Sequence, residues 1–258
     1  MTIAALRRPL RVVERNAHAY RRFWTAFVTG FIEPLLYLFA IGVGVGALAG
    51  EVTGPGGDAI PYREFIAPAM LAVAAMNGVV FDATYNFFFK FKYARTFDAI
   101  LATPIGVRDL LRGELIWSLL RASVYAVIFL ATMVALGLVQ SWWAVLAVPA
   151  ALLIGFAFAG AGYAATTFMR SFVDFDYINV LLIPLFLFSA TFFPLQEYPG
   201  AVQVIVQLTP LYQGVVIERA LVLGEVGPGL LVNVAYLVVM GAVGMRIATR
   251  RMRRLLQP

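Results

Sequence analysis

AVQVIVQLTPLYQGVVIERALVL, residues 201–223, decides the fold, because it either adds a membrane crossing or withholds one. By composition it could be counted as a span. Pro199, Gly200, Pro210 and Gly214 divide it into two short helices. Apolar pieces of about 10–14 residues suit a re-entrant or interfacial hairpin better than a crossing. The rest of the chain supplies a test of that choice.

Outside this stretch, six apolar runs stand out: 24–49, 65–89, 115–139, 143–169, 175–194 and 228–249. Each is long enough for ~30 Å of hydrocarbon at about 1.5 Å per residue; the fifth is the shortest. Of 258 residues, 62% are hydrophobic and 13% charged, a balance that a water-soluble domain cannot bury. Seventeen Lys and Arg fall before span one, between spans two and three, between four and five, and after six. The other side holds only Arg63 and Arg219, while Arg121 lies near one end of span three. With six spans, the seventeen share one side, so the positive-inside rule puts both termini in the cytoplasm. A seventh crossing at 201–223 would place the basic tail outside. Residues 195–227 are therefore predicted to be an external re-entrant hairpin between spans five and six.

Residues 1–23 are predicted to form an amphipathic interfacial helix. Leu6, Leu10, Val13, Ala17, Tyr20 and Trp24 recur at steps of four and three, and Arg7, Arg11, Arg15, His18 and Arg22 occupy another face. The expected fold class is all-α, a polytopic membrane protein of one domain over 1–258.

Much chemistry is missing. There is no cysteine, so no disulfide or thiolate chemistry. No GxxxxGK[ST] loop is present, so the chain by itself is not expected to hydrolyse ATP. Gly42, Gly44 and Gly46 lie inside an apolar run, where Gly42 and Gly46 read as a GxxxG packing motif. The lone His18 sits on a cationic surface and no metal-ligand cluster is apparent. The net charge of +6 reads as topology and anionic-lipid contact, not nucleic-acid binding.

The most polar internal connection is KFKYARTFDAILATPIGVRDLLRGE, residues 90–114. Arg95 to Ala102 can form a short helix with Phe97, Ile100 and Leu101 on one side, before Pro104 and Gly106 turn the chain. Such an apolar-faced helix beyond the membrane either rests on lipid or docks a soluble partner.

Several pieces carry a family resemblance. They are Glu33-Pro34 through Tyr37-Leu38, then Gly42-x-Gly44-x-Gly46; Phe65-Ile66-Ala67-Pro68 leading to Ala75-Met76-Asn77; and Asp82-Ala83-Thr84-Tyr85. The strongest is Tyr93 to Pro104, followed by Arg108-Asp109 and Gly113-Glu114; Pro194 and Leu208-Thr209-Pro210-Leu211 also fit. In this order they resemble the permease (transmembrane) subunits of ABC transporters of the ABC-2 class, in the NodJ-like branch. Asp82 stands where that family usually has Glu. The resemblance implies an exporter of an amphiphile such as a lipid-linked saccharide, lipid or drug, in the bacterial cytoplasmic membrane. It implies two cytoplasmic ATP-binding subunits that carry the ATP and Mg, and a second copy of the chain or a related permease as dimer partner. It implies docking of those subunits under a coupling helix at Arg95, Thr96, Phe97, Asp98, Ile100, Leu101 and Pro104.

Candidate substrate-path residues are Glu33, Tyr37, Asn77, Phe81, Asp82 and Tyr85. A carboxylate in the bilayer costs ~3 kcal/mol at the centre, so it usually faces protein or water. Glu33 either lines the path, caps a kink beside Pro34, or pairs with a cation such as Arg121 or an N-terminal Arg. Asp82 either touches substrate headgroups or bonds to Tyr85, Thr84 or Lys90. A secondary transporter or channel without an ATPase, a lipid-modifying membrane enzyme, and a structural membrane subunit are the rival readings. The enzyme would need a clustered acid/base or metal constellation, and none can be assembled from the sequence.

Overall fold

The computed structural model describes residues 3–20 and 24–256, leaving out the side chains of 3–6, 24–31, 33, 34, 43 and 49. Helix α1 (Ile3–Tyr20) leads to α2 (Trp24–Ala49). A three-residue hairpin follows, β1 (Glu51–Thr53) paired antiparallel with β2 (Ala59–Pro61), the one departure from an all-helical chain among the described residues. Helix α3 (Tyr62–Phe81) runs on through two π-helical turns, Asp82–Asn86 and Phe89–Tyr93. Short α4 (Thr96–Leu101) precedes α5 (Val107–Ala135). A 3₁₀ turn, Trp142–Leu146, opens α6 (Ala147–Thr166). Then come α7 (Phe175–Leu187), α8 (Gly200–Leu208), α9 (Pro210–Leu223) and α10 (Leu230–Leu256).

Among the described residues, four helical stretches are long and apolar enough to cross a bilayer: Tyr62–Tyr93, Val107–Ala135, Trp142–Thr166 and Leu230–Leu256. The pair α8–α9, bent by 86°, makes a fifth if taken as one crossing. The bend sits where Pro210 interrupts the apolar stretch, and the Thr209 hydroxyl caps α9 by accepting from the Tyr212 N–H at 3.3 Å. The two halves differ. Helix α8 leaves Val204, Ile205 and Leu208 exposed, whereas α9 buries Leu211, Val215, Ile217 and Val222 against α3 and α6.

The run predicted over 175–194 differs from the structure. Its helix ends at Leu187, and Ala190 takes a positive φ of 52°. The bare carbonyls beyond that end are satisfied from other elements: Arg219 on α9 donates to Ala190 at 3.0 Å, and Tyr62 on α3 donates to Phe192 at 3.2 Å. Buried carbonyls outside a helix or strand need such partners. Arg219 also donates to the Phe65 carbonyl at 3.2 Å and lies 3.7 Å over the Phe65 ring. Arg219, one of the two cations outside the basic side in the charge count, is thus a buried clamp.

The close packing expected at Gly42 and Gly46 lies elsewhere. A Cβ at either glycine would meet its nearest neighbours at 3.8 Å, ordinary contact distance. The tight crossing joins α6 and α10, where a Cβ at Gly160 would strike the Gly241 backbone and one at Gly244 would strike Gly160. Small residues on both helices let the backbones touch.

Candidate functional site

Helices α1, α3, α5 and α6 meet at the α4 end of the bundle, around a buried polar ladder. Its sequence basis is helical spacing. Asp82, Asn86 and Lys90 recur every fourth residue; Glu114, Ser118 and Arg121 recur at four and three; Asn16 and Tyr20 are four apart. Each set lines one face of its helix. The π-helical turns at 82–86 and 89–93 lie in the same stretch, as such turns do at many functional sites.

Two ion pairs form the rungs. Lys90 Nζ lies 2.7 Å from Glu114 Oε2, and Arg121 Nη1 lies 3.0 Å from Asp82 Oδ1. The side chains are 10% and 5% exposed in the first pair and 10% and 2% in the second. At that depth an unpaired charge would be costly, so geometry and pairing are linked. Helix α1 joins both rungs. Asn16 donates to Glu114 Oε1 at 3.1 Å and accepts from Lys90 at 3.2 Å. The Tyr20 hydroxyl accepts from Arg121 at 2.7 Å and from Asn86 at 3.0 Å, and lies 3.4 Å from Asp82. Asn86 also donates to Asp82 at 3.2 Å, and Ser118 meets Tyr163 of α6 at 3.0 Å. Gly113 makes the approach of α1 possible: a Cβ there would stand 2.5 Å from Val12 and 2.7 Å from the Pro9 carbonyl.

This corrects three expectations. Asp82 does pair, but with Arg121, Asn86 and Tyr20, not with Tyr85, Thr84 or Lys90, because Lys90 is held by Glu114 and Thr84 bonds back to Val80. The pairing of Glu33 expected with Arg121 or an N-terminal Arg lies outside the described residues. Helix α1 turns Pro9, Val12 and Asn16 inward and leaves Leu10 exposed, so it has a protein face as well as an outer one. Arg21 and Arg22, part of its predicted basic face or flank, lie outside the described residues.

The third concerns α4, which occupies the short helix predicted at 95–102. Its apolar face is turned into the protein. Phe97 is fully buried, 4.8 Å from the Phe87 ring, and Ile100 is buried with Val107 and Leu110; Leu101 is half-buried. Arg95, Asp98, Ala99, Ala102, Thr103 and Pro104 stay exposed, Thr96 is half-buried, and Arg95 pairs with Asp98 at 3.2 Å. Arg95 adopts φ 48°, a left-handed turn that folds the chain back from α3. The aromatic packing of Phe97 against Phe87 and Phe91 accounts for the inward face.

The other candidates form a separate surface. Asn77 and Phe81 of α3 and Tyr85 of the π-helical turn after it recur every fourth residue, outside the buried row of Asp82. Phe81 stacks on Tyr85 at 5.2 Å, and Tyr85 on Phe175 of α7 at 4.0 Å. Asn77 and Phe81 are exposed; Tyr85 is half-buried and its hydroxyl accepts from Asn179 at 3.0 Å. Tyr37 on α2 is exposed, 6.1 Å from Phe186 of α7. Sequence reading passed over Asn16, Tyr20, Asn86, Glu114 and Arg121 as one group, although the spacing of polar residues on apolar helices could have found it.

Apolar crossings built around an ion-paired interior define a multi-pass helical membrane protein. The chain belongs to the ABC-2 type transporter family, whose model matches residues 10–223, from within α1 to the end of α9. It is thus a membrane transporter subunit. It is 30% identical over 252 residues to Nodulation protein J of Rhizobium meliloti (strain 1021), covering 96% of this chain and 94% of that protein. To Nodulation protein J of Rhizobium leguminosarum bv. viciae it is 30% identical over 248 residues, with 95% and 93% covered. The protein of the same name in Neorhizobium galegae is 27% identical over 252 residues, with 93% and 92% covered.

Proposed function

We propose that this chain is the membrane-spanning permease of an ATP-driven exporter that moves an amphiphilic substrate outward across a bacterial cytoplasmic membrane. Two separate ATP-binding subunits hold ATP and Mg and supply the work; a second copy or a related permease completes the path. Six crossings bring both termini and α4 to the cytoplasm: the four long stretches, α2, and α7 with the bonded non-helical segment after it. The hairpin α8–α9 then lies on the outer side and re-enters the membrane.

The observation that carries the reading is the seating of α4. Its buried face is locked to the end of α3 through Phe97 and Phe87, directly beside a ladder that ties α1, α3 and α5 together. Its open face, Arg95, Asp98, Ala99, Ala102 and Pro104, is free for a soluble partner. A push on α4 therefore reaches three helices at once instead of being lost in a loop. The surface of Tyr37, Asn77, Phe81 and Tyr85 supplies aromatic and amide groups suited to an amphiphile.

The test is Asp98→Arg with Ala99→Arg, two exposed positions that leave Phe97 in place. Co-purification of the ATP-binding subunits and their stimulated ATPase rate should fall while the permease stays monodisperse. Wild-type association in that variant would remove α4 as the docking element.

A further inference from the structure

Helix α10 carries a surface outside the ladder, the α4 face and the aromatic surface described above. Val232, Tyr236, Val239 and Val243 recur along one side at steps of four and three, and the same steps continue into Arg246, Arg250 and Arg253. The apolar part lines an open groove of about 570 Å³. The basic part opens into a pocket of about 440 Å³, completed by Arg108 and Arg112 from the first turns of α5. None of these five arginines has an ion-pair or hydrogen-bond partner among the described residues. Glu114, the acid two residues from Arg112 on α5, is engaged by Lys90 and Asn16. Arg251 points off the stripe and bonds to the Thr167 hydroxyl at 3.1 Å, lying 3.6 Å from the Phe168 ring, so it pins α10 in place.

Five guanidinium groups around one cavity repel one another unless an anion fills it. Their planar forks match phosphate oxygens, and the N-terminal end of α5 adds partial positive charge at the same place. The groove meets the pocket along a single helix face. From Val239 to Arg250 the rise is ~16 Å at about 1.5 Å per residue, within reach of one acyl chain below its headgroup. We infer that this stripe binds an anionic phospholipid of the inner leaflet, with its phosphate among the five arginines and an acyl chain along the near half of the groove, Val239 and Val243. The leaflet rests on the orientation proposed above; the binding chemistry does not.

Native mass spectrometry of the purified chain, titrated with dioleoylphosphatidylglycerol, dioleoylphosphatidylcholine or inorganic phosphate, tests this. Phosphatidylglycerol should bind at least tenfold tighter than phosphatidylcholine. At about fivefold per arginine, Arg246→Gln/Arg250→Gln/Arg253→Gln should weaken it about 100-fold and Arg108→Gln/Arg112→Gln about 25-fold. Val239→Trp/Val243→Trp should weaken phosphatidylglycerol binding with all five arginines in place. Equal binding of the two lipids, or of phosphatidylglycerol to wild type and triple variant, overturns the proposal. So does inorganic phosphate that displaces the lipid, which would mark a free-anion site. Unchanged lipid binding with loss of the ATP-binding subunits, or of a second permease copy, would assign the surface to a protein partner and overturn it too. Protease accessibility of a C-terminal tag in sealed vesicles reads the orientation separately, so its failure is distinguishable from failure of the lipid site.

Discussion

Breaking one rung of the ladder should cost more than breaking both sides of it. At 3.0 Å, with side chains 10% and 2% exposed, the Arg121–Asp82 pair is worth about 5–6 kcal/mol of gross attraction at an effective dielectric near 20. Desolvation offsets much of that, so the net value of the pair is small while the penalty for orphaning one member is large, about 3–5 kcal/mol. In Asp82→Asn the Arg121 guanidinium keeps Tyr20 but loses its counter-charge; in Arg121→Met the Asp82 carboxylate keeps Asn86 and Tyr20 but no cation. At about 2–4 °C per kcal/mol for a chain this long, each single variant should unfold ~6–20 °C earlier. The double variant Asp82→Asn/Arg121→Met should recover at least half of that loss, because no uncompensated charge remains. Thermal unfolding in one detergent, followed by tryptophan fluorescence and by loss of the monodisperse peak, measures all four proteins. Single variants within 2 °C of wild type, or a double variant whose loss is the sum of the singles, would refute the claim that the ladder is an interdependent charge pair.

Gly113→Ala should push α1 off α5, since its Cβ would meet Val12 and the Pro9 carbonyl; a loss of about 1–3 kcal/mol and faster proteolysis near Arg15 are expected. Arg219→Met removes the donors to Ala190 and Phe65, so hydrogen exchange over 188–194 should rise sharply while α10 is unchanged. Glu218 is fully buried and neither of its oxygens accepts a hydrogen bond among the described residues. Glu218→Leu should therefore raise stability by about 1–3 kcal/mol, readable as a higher melting temperature, and a lower one would mean a partner holds the carboxyl. Glu33→Gln should leave assembly intact and reduce export; wild-type transport would show the charge to be dispensable.

Sequence alone determined the membrane character, the positions of the long apolar helices, the break at Pro210 and the existence of α4. Those features depend on local rules: residue count against bilayer thickness, proline and glycine as helix breakers, and the 3.6-residue period. Tertiary structure decided what the polar residues face. Asp82 and Phe81 are neighbours in sequence, yet one is paired with Arg121 and the other stacks on Tyr85 toward the outside. Phe97 looked like a docking residue because its exposed or buried state depends on Phe87 and Val107, which a local pattern does not bring together. The partners of Arg219 were not legible, because nothing near it in sequence shows that the carbonyls of Phe65 and Ala190 converge on it. The bilayer length and the helix period are written in neighbouring residues. The pairing of buried charges depends on contacts up to about a hundred positions apart, such as Tyr20 with Arg121, and only the packed helices reveal it.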